Sequence, residues 1–123
     1  MARLSPTEMT AVIRGDRTSQ MIQVFSHDAG KTWSEPVPLE VGKVCPDLVL
    51  MSNGVLACSY GRPASCLMFS LDGGRTWPSH YVVSDRVGFN YTSIREIAPG
   101  RLLYLHDAPT LNGLYIDVQR AER

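Results

Sequence analysis

The chain has 123 residues, 44% of them apolar and 20% charged, which is the balance of one globular domain and excludes a disordered segment. Twelve Lys plus Arg against twelve Asp plus Glu leave no net charge, so no basic excess exists to hold nucleic acid or an anionic membrane surface. No apolar run approaches the ~20 residues of a membrane span, and Met1 to Pro6 contains no apolar core of a signal peptide, which leaves the compartment unassigned. Cys45, Cys58 and Cys66 fit neither a disulfide framework nor the ligand spacing of a zinc site. Buried free thiols are the expected state, with a Cys58–Cys66 bridge as the alternative.

Short β-branched and aromatic runs, separated by turn signals, follow one another along the chain. Glu8 to Arg14 and Gln20 to Phe25 read as strands, as does Val37 to Glu40. Asp47 to Met51, Val55 to Tyr60, Cys66 to Phe69 and His80 to Val83 make a second group. Tyr91 to Ile97, Arg101 to His106 and Leu114 to Gln119 make a third. Ser52-Asn53-Gly54, Gly61-Arg62-Pro63, Ala98-Pro99-Gly100 and Asn112-Gly113 mark turns between them. No segment sustains a helical period, so the fold class is all-β.

A repeat organises these strands. Ser26-His27-Asp28-Ala29-Gly30-Lys31-Thr32-Trp33 returns as Ser70-Leu71-Asp72-Gly73-Gly74-Arg75-Thr76-Trp77, a spacing of 44 residues. Propeller blades repeat at roughly 40–50 residues. Each box has a turn-forming logic: Asp28 and Asp72 can accept from following amides, Gly30 and Gly74 can take a positive φ, Thr32 and Thr76 can bond locally, and Trp33 and Trp77 can anchor against strands. Ser26 and Ser70 open the two boxes. Too few oxygen ligands are present for calcium, so the boxes read as hairpin fasteners and no metal or cofactor is expected.

With each box between the third and fourth strand, the blades span about 1–41, about 46–84 and, incompletely, about 91–121. Met1 to Leu4 is the one segment that could give the first blade its innermost strand, and the third blade lacks its outermost. The chain thus reads as antiparallel four-stranded blades amounting to about two and a half, fewer than the 4–8 that close a propeller. Open blade faces and edges imply self-association or docking onto complementary blades.

The boxes, Ser59-Tyr60-Gly61-Arg62-Pro63, and Tyr91-Thr92-Ser93-Ile94 leading to Leu102-Leu103-Tyr104 together resemble the C-terminal portion of bacterial exo-α-sialidases, propellers of the Asp-box (BNR) repeat type. That resemblance implies a six-bladed propeller and hydrolysis of terminal sialic acids from glycans. It implies three arginines on the substrate carboxylate and a tyrosine nucleophile paired with a glutamate, an exception to the two-carboxylate scheme of most glycosidases. Tyr91 matches the nucleophile and Arg62 the third arginine. Arg14 matches the second, with Arg17 as its alternate. The catalytic Asp, the first arginine and the glutamate partner belong to more N-terminal blades in this family.

Strand alternation gives the same grouping without the family. The start of a first strand and the turn between second and third strands share one end of a blade, which places Tyr91, Arg14, Arg17 and Arg62 on one rim and both boxes on the other. Asp47, His106 and Asp107 fall on the rim of Tyr91, and Glu8 is an acidic residue near Arg14. Asn90-Tyr91-Thr92 forms a glycosylation sequon, read as a chance match. The expected partner is a sialylated or other anionic glycan. The alternative is a non-catalytic propeller module that binds an anionic glycan or a partner protein.

Overall fold

A computed structural model describes residues 1–16 and 18–121. It is all-β, with three antiparallel sheets packed face to face as the blades of an open partial propeller. The first sheet runs β1 (Ala2–Arg3), β2 (Met9–Ile13), β3 (Ile22–Ser26) and β4 (Val37–Pro38). The second runs β5 (Val44–Leu50), β6 (Leu56–Gly61), β7 (Ser65–Ser70) and β8 (Ser79–Ser84). The third has β9 (Thr92–Ala98), β10 (Arg101–His106) and β11 (Asn112–Asp117). The first strands adjoin from blade to blade, β5 lying against β1, β2 and β9.

The second sheet is sandwiched, and its composition follows from that. Every residue of β6 is buried. Leu56, Cys58 and Tyr60 point into a core shared with Ala2, Val12 and Met21 of the first sheet. Ala57 turns the other way, into a core with Met51, Val55, Leu67, Ile94, Leu102 and Tyr104. Fully burying a side chain such as Leu56 or Leu102 contributes about 1.5–3 kcal/mol, so the blades are held by side-chain contact rather than by shared ladder bonds.

Three local features depart from the sequence reading. Met1 to Leu4 does supply an innermost strand, but β1 is only two residues long. The strand expected from Asp47 begins at Val44, because a bulge between Val44 and Asp47, with Cys45 at φ 51, absorbs the extra residues. Asn112-Gly113 is not a turn: Asn112 pairs with His106 and Gly113 with Leu105, and the connection is made by residues 107–111. Cys58 and Cys66 lie on adjacent strands but out of register, opposite Met68 and Tyr60, and all three cysteines are free. Burial pushes the Cys58 thiol up to about 12, so it is inert as a nucleophile.

The two boxes fold alike. Ser26 Oγ donates to Asp28 Oδ1 at 2.9 Å and accepts from Gly30 N at 2.8 Å; Ser70 repeats both bonds with Asp72 and Gly74 at 2.7 and 2.9 Å. Thr32 N and Oγ1 donate to the two carboxylate oxygens of Asp28 at 2.8 and 2.5 Å, and Thr76 does the same to Asp72 at 2.9 and 2.6 Å. The serine therefore holds the near amide and the aspartate the far one. Gly30 and Gly74 sit at φ 89 and 88, where a side chain would be strained. The tryptophans differ. Trp77 Nε1 reaches across to Gln23 Oε1 of the first sheet at 3.2 Å, whereas Trp33 turns onto its own Gly30 carbonyl at 3.1 Å and stays 39% exposed.

The threonine hydroxyls lead the bonds that hold Asp28 and Asp72 down to about 2 from an ordinary 3.8. A lowered carboxylate contributes stability above its unfolded value, and that contribution disappears as pH falls toward its folded value. The thermal midpoint is expected to drop between pH 4 and pH 2. Asp28→Asn and Asp72→Asn should each lower the midpoint by a few degrees at neutral pH and flatten that acid transition. Thermal unfolding followed by circular dichroism across this range checks it; an unchanged acid slope in the double variant contradicts the role given to the boxes.

The outward faces of the first and third sheets leave Ile13, Ile97 and Tyr115 exposed, and β11 carries a free strand edge. Such faces and edges associate in water. Sedimentation velocity over a concentration series should therefore show a sedimentation coefficient that rises with concentration, and a constant monomer value would contradict it.

Candidate functional site

The rim opposite the boxes is built by one line of backbone contacts crossing all three sheets. Gly15 N donates to Lys43 O at 3.1 Å, and Lys43 N donates to Gly61 O at 3.0 Å. Gly61 then meets Asn90 so closely that a Cβ on it would stand 1.7 Å from the Asn90 carbonyl oxygen. Only glycine permits that approach. Asn90 takes φ 62, is buried, accepts from Ser65 Oγ at 3.1 Å and donates through Nδ2 to Gly88 O at 3.2 Å. Both ends of its amide are occupied inside the fold, which removes it as a glycosylation acceptor in the folded chain.

This left-handed residue aims Tyr91 out of the ladder. β9 begins at Thr92, one residue later than the sequence reading, and Tyr91 N donates instead to Asp107 Oδ1 at 2.9 Å. On the other side of the junction Arg62 also holds a positive φ of 63. Strained non-glycine residues of this kind gather at sites where geometry is over-determined. Arg62 Nε donates to Phe89 O at 3.2 Å, and its guanidinium carbon lies 5.9 Å from the centre of the Tyr91 ring. Phe89 stacks on Tyr91 with centroids 6.0 Å apart and planes at 22°. The result is a cation beside two exposed rings, a surface able to hold an anion that also carries an apolar face.

The other sequence candidates are distributed around this centre. Arg14, exposed, immediately precedes Gly15 and so belongs to the same rim. Arg17 lies outside the described residues. Asp47 is occupied: its Oδ2 accepts from Ile94 N at 2.9 Å and Ser93 Oγ at 3.3 Å, tying β5 to β9. Asp107 is the clamp on the Tyr91 amide. His106 is buried against Tyr104, and its Nδ1 has no partner among the described residues. Glu8 is at the far end, its carboxylate 2.6 Å from His27 Nδ1 of the first box, so strand direction removes it as a partner for Tyr91. The box residues Ser26, Asp28, Gly30, Thr32 and Trp33, with Ser70, Asp72, Gly74, Thr76 and Trp77, make their bonds at that same far end. Among the described residues no three His, Cys, Asp or Glu side chains gather as a metal-holding group. An apolar groove of about 560 Å³, lined by Leu67, Phe69, Tyr81, Ile116 and Val118, lies between β8 and the segment after β11, away from Arg62 and Tyr91.

Sequence reasoning passed over Phe89, took Asn90 only for a chance sequon and took Gly61 only for a turn signal. Asn before a strand is a recognised signal for a left-handed residue, and Phe89 lies in a polar connection where an aromatic has no core to join. Gly61 carries no signal for its role, because the neighbour that excludes its Cβ is 29 positions further along the chain.

No family model matches the chain. It is similar to a sialidase of Bacteroides fragilis (strain YCH46), with 28% identity over 104 residues, covering 72% of this chain and 19% of that protein. It is also similar to a vacuolar protein sorting/targeting protein 10 of Eremothecium gossypii, with 34% identity over 74 residues, covering 56% of this chain and 5% of that protein. The chain thus spans about a fifth of the length of the sialidase and a far smaller part of the sorting protein. Distant similarity to a sialidase over most of the chain is what these comparisons give.

Gly61→Ala should force the Asn90 carbonyl back, since the colliding atom is backbone and cannot rotate away. A loss of about 1–3 kcal/mol is expected, as for overpacking elsewhere, together with separation of Arg62 from Tyr91. Chemical denaturation measures the first. Ring-current shifts at the Arg62 side chain, read by NMR, measure the second; shifts identical to wild type would contradict the junction described here.

Proposed function

We propose that the chain forms part of the substrate site of a sialidase-like glycoside hydrolase whose full-length form removes terminal sialic acids from glycans. The observation that carries the reading is the meeting of Arg62 and Tyr91 across the boundary of the second and third sheets, on the rim away from the boxes. Similarity to a sialidase over 72% of the chain points the same way.

In this reading Arg62 and Arg14 bind the substrate carboxylate through charge-assisted hydrogen bonds. Arg17 is the alternate to Arg14. Tyr91 is the nucleophile: its phenol oxygen forms a bond to the anomeric carbon as the aglycone oxygen leaves with a proton. A neutral phenol approaches a carboxylated sugar without the repulsion a second carboxylate would meet. A protonated phenol is a weak nucleophile and needs a base to take its proton. Asp107 is committed to the Tyr91 amide and Glu8 to the far rim. The base, the acid for the leaving group and the remaining arginine then come from blades beyond this chain. The blades within it are proposed at about 1–41, 46–84 and 91–121, with the boxes as their fasteners.

A second reading has its own support. The hydroxyl of Tyr91 has no hydrogen-bond partner among the described residues, and the similarity extends to a protein named for vacuolar sorting rather than hydrolysis. A propeller module that binds an anionic glycan or a partner protein without cleaving it would fit both observations.

Residues 1–123 alone should not cleave a fluorogenic sialoside, because general acid–base help worth 10²–10⁴-fold is missing. They should still bind N-acetylneuraminic acid or its 2,3-unsaturated analogue weakly, and Arg62→Ala should weaken that binding about 10–100-fold. Turnover assays and NMR titration test the two halves. Binding that ignores Arg62→Ala contradicts the carboxylate assignment, and robust hydrolysis by the isolated chain contradicts the division of catalytic groups.

A further inference from the structure

Phe89 is 68% exposed, yet it is held more firmly than exposure suggests. It lies in the connection that runs from the outer strand β8 to the inner strand β9. On one side of it Gly88 packs so close to the 107–108 backbone that a Cβ would stand 2.5 Å from Asp107 O. On the other side Asn90 is buried and bonded at both ends of its amide. Its own carbonyl accepts from Arg62 Nε. One face of the ring stacks on Tyr91. An aromatic ring fixed by its neighbours and left in water serves no packing purpose, but it is pre-organised for a ligand, which lowers the ordering cost of binding.

We propose that Phe89 is a second ligand contact, stacking on the apolar C–H face of a neutral pyranose that is glycosidically linked to the anionic sugar held at Arg62 and Tyr91. This rests on the carboxylate-binding role given to Arg62. The order of the subsites follows from topology. Tyr91 sits at the mouth of an inner strand, and the chain before it comes from the outer edge of the neighbouring blade, so Phe89 lies outward of Tyr91. The charged sugar is held inward, beside the arginines, and the sugar that bears it extends outward across Phe89. The site therefore selects a charged oligosaccharide over the free charged monosaccharide.

The test compares three ligands on residues 1–123 by NMR titration: the methyl glycoside of N-acetylneuraminic acid, 3′-sialyllactose and lactose. Wild type should bind sialyllactose about 3–10-fold more tightly than the methyl glycoside. Phe89→Ala should abolish that ratio by lowering sialyllactose affinity more than methyl glycoside affinity, and Phe89→Trp should keep it. Because Phe89 is exposed, the thermal midpoint of Phe89→Ala should match wild type, which separates a lost contact from a lost fold. A ratio that survives Phe89→Ala, or an equal loss for both sialosides, overturns the stacking role. If that happens while Arg62→Ala still removes sialoside binding, the carboxylate reading stands alone. If lactose binds in a Phe89-dependent manner and Arg62→Ala changes nothing, the stacking stands and the carboxylate reading falls. No binding of any of the three overturns both.

Discussion

The contact between Gly61 and the Asn90 carbonyl is the point on which the upper rim depends. Two strand ends from different sheets come together there at a distance that leaves no space for a side chain. Once they meet, the next residue on each side has little freedom. Arg62 follows Gly61 at φ 63, and Tyr91 follows Asn90 at φ 62. Both therefore leave their sheets at the same place and face each other. The pairing of cation and phenol is thus a consequence of backbone packing, and the side chains themselves contribute little to holding the junction: Arg62 makes one bond to a carbonyl, and Tyr91 is held through its amide. This is the arrangement expected where side-chain functional groups must stay free for a ligand.

The opposite rim follows the reverse logic. In the boxes the serine, aspartate and threonine side chains are spent on the turn, and the two copies agree in these bonds to within a few tenths of an ångström. These bonds explain how a turn largely open to water holds its shape. The tryptophans differ between the copies, and that difference is set by their surroundings. Where a neighbouring sheet is present, the indole donates to Gln23; where none is, it folds back onto its own box. Gln23 in turn bonds Thr10, so the second box is linked to the buried face of the first sheet. A fastener within one blade thereby also fastens two blades together.

What the sequence made legible divides along the same line. Strand periodicity, turn residues and the repeated box are local signals, and they located ten of the eleven strands within a few residues while Met1 to Leu4 was noted as the source of the other. The late start of β9 and the bulge at Cys45 were not legible. Both depend on contacts between sheets: Thr92 Oγ1 lies 3.1 Å from Cys45 O and 2.9 Å from Ser59 Oγ, joining residues 47 and 33 positions apart. The role of Ser26 and Ser70 was missed for another reason. A serine opening a turn has several equivalent acceptors nearby, and only geometry shows that it takes the near amide while the aspartate takes the far one. Arg62 and Tyr91 are singled out by a resemblance and by strand direction, which fix an end of the blade but not a distance.

The distribution of the candidate site over blade boundaries has a consequence for what the chain can do. Arg62 belongs to the second sheet and Tyr91 to the entrance of the third, with Asp107 reaching back from the far end of β10 to hold the tyrosine amide. No single blade contains the pair. Anything that loosens the packing of the second sheet on the third, through Leu67, Leu102 or Tyr104, must also separate Arg62 from Tyr91. Ligand affinity and blade packing are therefore coupled: a ligand that bridges the two residues stabilises the interface between their sheets by the amount it binds. Asp107 is engaged at an amide and Asp47 between strands, so these two carboxylates are already used for position.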